Sequence, residues 1–254
     1  MGIDAVTICY DDGVTGSEVC QSSQSLILPS SLSGDLVSWY ALETSSDPQP
    51  DETGANNLTK GGDPTTGTGK KSNGQVFDGV GDEYYISSAS AGDFKPGDSS
   101  FTAAIWAYPT TASFNDGAMG CYSTLSGGLG WGIRIDGSDT TAWQFARGEN
   151  SGTSEPDISA GAGSLNLNAW HLIIVWRDAD AQECGIQVNN NTPVTSAQVL
   201  GLGTPAYKFS IGSVLNNRFV GTLDEAAFWN RPLTSDERDI LWNNGNGITY
   251  SQFS

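Results

Sequence analysis

The stretch FVGTLDEAAFWNRPLTSDERDILWNNGNG, residues 219–247, decides the fold. Its first half, through Trp229, has strand length and a strand's mix of apolar and aromatic residues, and it stops at Asn230 and Pro232. The second half changes period. Thr234 is followed three positions later by Glu237, which spells a capping box, and SDERDILW then gives a short helix ended by Asn and Gly245. Two adjacent carboxylates, Asp224 and Glu225, stand inside the strand. Plain alternation sends neighbours to opposite faces, so the two are expected not to act as a catalytic pair.

Working outward, strand-length apolar runs bounded by Gly, Asp, Asn and Pro recur from Asp35 onward. They predict strands near 36–42, 75–79, 83–87, 101–108, 118–124, 131–135, 141–146, 170–177, 184–189, 208–213 and 219–229. FTAAIWAY puts Phe101, Ala103, Ile105 and Ala107 on one face, whereas HLIIVWR is apolar on both, as a central strand is. Composition agrees. The 254 residues include 32 Gly and are 10% aromatic but only 16% charged, which suits many short strands joined by turns and argues against long amphipathic helices. The expectation is an all-β, two-sheet antiparallel sandwich with one short C-terminal helix.

Residues 1–34 read differently. CQSSQSLILPSSLSG is rich in Ser with one apolar knot, Leu26 to Leu28, and forms an arm or anchor ahead of a domain spanning 35–254. Cys9 and Cys20 flank a turn-rich insert that suits a small hairpin; oxidised, they would add roughly 3 kcal/mol by loop entropy, and in a reducing compartment they stay free thiols. The four cysteines lack the close paired spacing of zinc or redox sites.

Formal net charge is -18, so nucleic acid is repelled over most of the surface. No run approaches the ~18 apolar residues of a membrane span, so no membrane partner is expected. The opening MGIDAVTICYDDG shows no secretory signal, which leaves either a chain used without that export route or one whose leader was removed.

Taken in order, LVSWYALE, DETGANNL, VFDGVGDEYYI, FTAAIWAYP, WHLIIVWRD, FSIGS and residues 219–247 resemble the laminin-G-like, concanavalin A-like jelly-roll family. The resemblance runs from Asp35 to about Gly247. It implies two curved antiparallel sheets and a non-enzymatic module that binds carbohydrate or protein. It also implies a structural calcium, with Asp51 of the DxTG turn and Asp224 as ligands and with Glu43 and Asn57 as neighbours; calcium takes several oxygens, among them backbone carbonyls. Glucan-cleaving relatives carry an alternating Glu-x-Asp-x-x-Glu array that is absent here. His171, the single histidine, falls where the family has Trp-His and is expected to pack and hydrogen-bond.

Trp39, Trp106, Trp170, Trp176 and Trp229 lie in strong strand patterns and are assigned to the core. Trp131 and Trp143 have Gly-rich or polar flanks with Arg134 and Arg147 close by, so these four are the candidate ligand-binding residues, alongside a core reading of both rings. The leading expectation is a glycan- or protein-binding sandwich on a virion surface, a capsid decoration or fibre protein, held to assembly subunits by residues 1–34 and compatible with a homo-oligomer. The alternatives are an extracellular bacterial adhesin or accessory module, and an assembly protein with no glycan ligand.

Overall fold

The computed structural model describes residues 7–11, 18–22, 29–123, 129–148, 156–198 and 200–253. Strands β1 (Thr7–Asp11) and β2 (Glu18–Ser22) form a hairpin that is its own two-stranded sheet, with Cys9 opposite Cys20 in the backbone register. Whether those two sulfurs are joined lies outside the described side chains.

The strands that follow are β3 (Leu36–Tyr40), β4 (Thr59–Gly61), β5 (Thr65–Thr68), β6 (Asn73–Asp78), β7 (Glu83–Ile86), β8 (Phe101–Pro109), β9 (Gly117–Ser123) and β10 (Leu129–Ile135). After them come β11 (Trp143–Gly148), β12 (Ile158–Ser159), β13 (His171–Asp178), β14 (Glu183–Val188), β15 (Val194–Ala197) and β16 (Phe209–Ile211). The chain ends with β17 (Ser213–Val214), β18 (Asn217–Arg218), β19 (Val220–Trp229) and helix α1 (Ser235–Trp242). One sheet runs β12-β11-β10-β9-β16-β7-β4 with β17 and β18 attached, and the other runs β15-β14-β13-β8-β19-β6-β5 with β3 beside β19. All pairings within the second sheet are antiparallel.

Every strand expected from the pattern is present. The β1–β2 pair is the hairpin expected around Cys9 and Cys20; the short β4, β5, β12, β15, β17 and β18 are additions, and β5 and β15 are largely exposed edge strands with no apolar face for periodicity to reveal.

The core lies between the sheets. Phe101, Ala103, Ile105, Ile173, Val175 and Phe228 from one sheet meet Met119, Trp131, Ile133, Phe145 and Phe209 from the other. Phe228 sits within 5.5 Å, centroid to centroid, of Phe94, Phe101 and Trp131. A second apolar layer covers the outer face of the β8 sheet: Trp39, Trp106, Ile174, Trp176 and Trp229 are roofed by Leu32, Leu233, Leu241, Ile248 and Phe253. This double burial is why β8 and β13 are apolar on both faces. Trp170 is partly buried against that layer.

The helix that closes the layer starts as its sequence predicts. Thr234 accepts a bond from the Glu237 amide, and Glu237 reaches back to the Thr234 amide. Glu237 also takes both terminal nitrogens of Arg231, while Arg231 donates to the carbonyls of Ser31 and Gly34. The Trp229 indole donates to the Leu32 carbonyl at 2.8 Å, so residues 31–34 are tied to the sandwich.

Candidate functional site

Period-two alternation sorts the side chains of the β9 sheet into an inner and an outer set. In β10, Trp131, Ile133 and Ile135 enter the core, which leaves Gly130, Gly132 and Arg134 on the outer face. In β9, Met119 and Cys121 are inside, and Gly120 and Tyr122 are outside. Gly117, Gly120 and Gly132 make a floor for the β17–β18 hairpin, because a Cβ on any of them would come within 3.3 Å of Val214. Beside this floor stand the partly exposed Tyr122, Arg134 and Asp157, with Gln144 buried beneath them.

Arg134 faces Gln144 in the β10–β11 register, and its Nε donates to Gln144 Oε1 at 2.8 Å. Its terminal nitrogen pairs with Asp157 Oδ2 at 2.5 Å, and its guanidinium lies 5.9 Å from the centre of the Tyr122 ring. Asp157 is held in turn by the Arg147 amide. Burial, and after it the Asp157 charge, raises the Tyr122 phenol above its usual pKa, with Arg134 opposing. An aromatic ring thus stands beside a guanidinium that Gln144 and Asp157 hold fixed in direction.

Arg134 alone of the four sequence-selected ligand residues is on this surface. Trp131 and Trp143 are fully buried, and Trp131 spends its N–H on the Phe94 carbonyl. Arg147 is 1% exposed and braces neighbouring strands through Pro156 O, Ser196 Oγ and Gln198 Oε1. The Gly-rich flanks of Trp131 mark a close hairpin, with the ring turned inward. Tyr122, Gln144 and Asp157 were missed, although counting by two from Ile133 places Arg134 outside.

The four candidate calcium ligands are each engaged by groups of the protein. Asp51 takes bonds from the amides of Trp39, Thr53 and Asn56 and from the hydroxyls of Ser38 and Thr53, so its oxygens are already filled. Asn57 accepts the Asp51 amide, and Glu43 accepts the Asn73 amide. Asp224 is fully buried and accepts the Lys71 and Glu225 amides. Among the described residues, no group of three or more His, Cys, Asp or Glu side chains could hold a metal ion. Asp51 does not fit as an ion ligand; it organises the turn that follows β3.

Asp224 and Glu225 do not point to opposite faces. The register jumps between Asp224 and Ala227, and Glu225 has φ of 45°, so a β-bulge inserts one extra residue opposite Ile105. Glu225 consequently accepts the Trp39 indole N–H on the outer layer, the same side as Asp224, whose partner is Trp106. Burial raises both pKa values; the Asp224 charge adds to the shift on Glu225, and the Glu43 charge acts on both. Glu225 is only 3% exposed, so the pair offers no accessible acid to a substrate. His171 is buried as well, bonded to the Asn166 backbone and edge-on to Trp143, and burial lowers its pKa.

A two-sheet jelly roll with one polar, ring-bearing outer face defines a lectin-like sandwich. The chain belongs to the Concanavalin A-like lectin/glucanases superfamily, whose family model matches residues 78–237. Among solved structures it is similar to the binding domain of Paraclostridial Mosquitocidal Protein 1, with 15% identity, TM-score 0.64, and coverage of 84% of this chain and 53% of that one. Domain 4 of AbnA, an extracellular GH43 arabinanase from Geobacillus stearothermophilus in complex with arabinotriose, gives 15% identity and TM-score 0.59 over 80% of this chain and 96% of that one. Trypanosoma rangeli sialidase in complex with sialic acid gives 16% identity and TM-score 0.61 over 95% of this chain and 37% of that one. The chain therefore spans about half of the mosquitocidal binding domain and little more than a third of the sialidase. At these identities the likeness shows the fold. No curated protein matches the chain at a significant level.

Proposed function

We propose that the chain is a non-catalytic binding module that holds a glycan, or a glycan-bearing receptor, on the outer face of the β9 sheet. The observation that carries this reading is the Arg134 cluster: Tyr122, Gln144 and Asp157 surround a guanidinium whose donors are fixed in direction. Sugar rings place their C–H faces on aromatic rings and their hydroxyls on such oriented polar groups. Support also comes from similar structures whose names describe a toxin binding domain and a domain bound to arabinotriose. The opposite outer face is roofed by α1 and the C-terminal segment, and the β17–β18 hairpin covers Gly117, Gly120 and Gly132 on the β9 sheet, which leaves the Tyr122 and Arg134 side of that sheet partly exposed.

The test is calorimetric titration of the protein with arabino-, galacto- and sialyl-oligosaccharides. At least one should bind, and Arg134→Ala should weaken it tenfold or more while the melting temperature stays within a few degrees. A wild-type protein that binds none of them removes the reading.

A specific observation favours an assembly role for the N-terminal region. The β1–β2 hairpin is a separate sheet, and residues 31–34 are pinned to the sandwich. A lone two-stranded hairpin is marginal in water, so a partner strand would stabilise it. Display on a virion surface or on a secreted adhesin both fit such an anchor. Deletion of residues 1–28 should abolish incorporation into the parent assembly and leave glycan binding intact.

A further inference from the structure

The two sheets of the sandwich end in the edge strands β12, β4, β15 and β5, and three of these are blunted. β12 is only two residues long. On β4 the Lys60 amide already donates to Asp47 Oδ1 at 3.2 Å, and on β15 the Ala197 carbonyl already accepts from Arg147 at 3.2 Å. β5 is different. Its residues Thr65, Thr66, Gly67 and Thr68 carry neither charge nor Pro, and the three threonines are exposed. One flank pairs with β6, and among the described residues the other makes no backbone bond. An uncharged edge of this kind is a template for a further strand.

The β1–β2 hairpin is the matching half. It is a two-stranded sheet whose register sets Asp11 opposite Glu18 at the closed end and Thr7 opposite Ser22 at the open end. Residues 1–34 hold four acids, Asp4, Asp11, Asp12 and Glu18, and no Lys, Arg or His, so on an acidic protein this arm needs a basic neighbour. Such a neighbour follows β5. Lys70 and Lys71 come directly after Gly69, and neither makes an ion pair among the described residues. The Lys70 ammonium stands 4.4 Å from the centre of the Trp106 ring, and Lys71 reaches the Gly247 carbonyl at 3.5 Å. Burial, and after it the Lys71 charge, lowers the Lys70 pKa. The opposite end of β5 is acidic, because Asp63, two residues ahead of Thr65, has a side chain that is 96% exposed.

We propose that β2 of one copy of this chain adds antiparallel to β5 of a second copy, so that the hairpin extends the partner's sheet. The inference rests on the assembly reading of the N-terminal region and names the partner as another copy of the same chain. Charge selects the strand. Antiparallel addition through β2 sets Glu18 opposite Thr68, toward Lys70 and Lys71, whereas addition through β1 would set Asp11 opposite Thr65, toward Asp63. The pairing is made between copies because within one chain the hairpin and β5 stay in separate sheets. Lengths agree, with five residues in β2 and four in β5. Backbone bonds supply the affinity and the rim charges set the register. Reciprocal exchange of hairpins closes a two-fold dimer with no strand left over.

Sedimentation equilibrium of the full chain tests the proposal, beside a variant lacking residues 1–28, Thr68→Glu, and Thr68→Glu combined with Glu18→Lys. Thermal melts of each verify that the sandwich is folded. The full chain should dimerise and the deletion variant should stay monomeric. Thr68→Glu should raise the dimer's dissociation constant roughly tenfold, because the like-charge pair with Glu18 occurs twice in the dimer. Adding Glu18→Lys should restore wild-type affinity within threefold, which a merely damaged β5 would not allow. Amide exchange in Thr65–Thr68 should be slower in the full chain than in the deletion variant. Four results overturn the proposal: a full chain that is monomeric at every concentration, a dimer that survives the deletion, an unchanged dissociation constant in Thr68→Glu, or a monomer in which the hairpin protects the β5 amides of its own chain. Each of these leaves the anchor reading standing, since incorporation of the deletion variant into the parent assembly decides that one separately.

Discussion

Glu225 shows how one residue redirects a site. Alternation along β19 is broken by a single left-handed residue, so the two acids that the sequence separates share one side and repel. Nothing in TLDEAAFW announces a bulge, because a left-handed Glu has no sequence signature of the kind that Gly or Asn provides. The consequence is a pH dependence of known sign. Burial pushes the folded-state value of Asp224 to about 8, and burial with the Asp224 charge pushes that of Glu225 to about 9, both above the ordinary carboxylate range. The folded state therefore keeps protons that the unfolded chain releases near pH 4. The pair's contribution is complete below that pH and is lost as pH rises through 8 and 9. Glu225→Gln keeps the size and the Trp39 contact without the charge, so it should stabilise the protein at pH 8 by on the order of 1 kcal/mol. It should also flatten the fall in melting temperature between pH 6 and 9; parallel curves for the two proteins would refute the assignment.

Elements were legible in proportion to how much apolar surface they bury. β8, β13 and β19 lie between two layers and are continuous in the sequence, whereas β5 and β15 pair by backbone alone on exposed edges and leave no periodic trace. Helix α1 was legible for a different reason, because its capping box is local chemistry. Thr234→Ala removes the bond to the Glu237 amide and should cost about 1 kcal/mol in chemical denaturation. The loss should be larger in Glu237→Ala, since Glu237 also binds Arg231 and through it the carbonyls of Ser31 and Gly34. Equal losses would show that this link to residues 31–34 contributes nothing. The Tyr122 and Arg134 surface was half legible. Strand period two was enough to exclude Trp131, but the partners Gln144 and Asp157 come from β11 and the segment before β12, which only pairing brings together.

At the scale of the molecule, two apolar layers share the β8 sheet, and they should fail differently. Phe228 lies in the inner layer against Phe94, Phe101 and Trp131, so Phe228→Ala opens a cavity between the sheets and should cost about 3–5 kcal/mol. The outer layer ends in Phe253, whose ring lies 5.1 Å from Trp39 and edge-on to Tyr250. Removing residues 249–254 strips that roof from Trp39 while leaving every inter-sheet contact in place, so the truncated protein should melt several degrees lower with a red-shifted tryptophan emission. Glycan binding should be unaffected, because the Arg134 cluster stands on the outer face of the other sheet and the β8 sheet lies between it and the C-terminus. Calorimetry of the truncated protein with the best oligosaccharide decides the matter: unchanged affinity with lower stability places the ligand on the β9 sheet. A joint loss of both would instead put the ligand, or a strut that it needs, among the outer tryptophans.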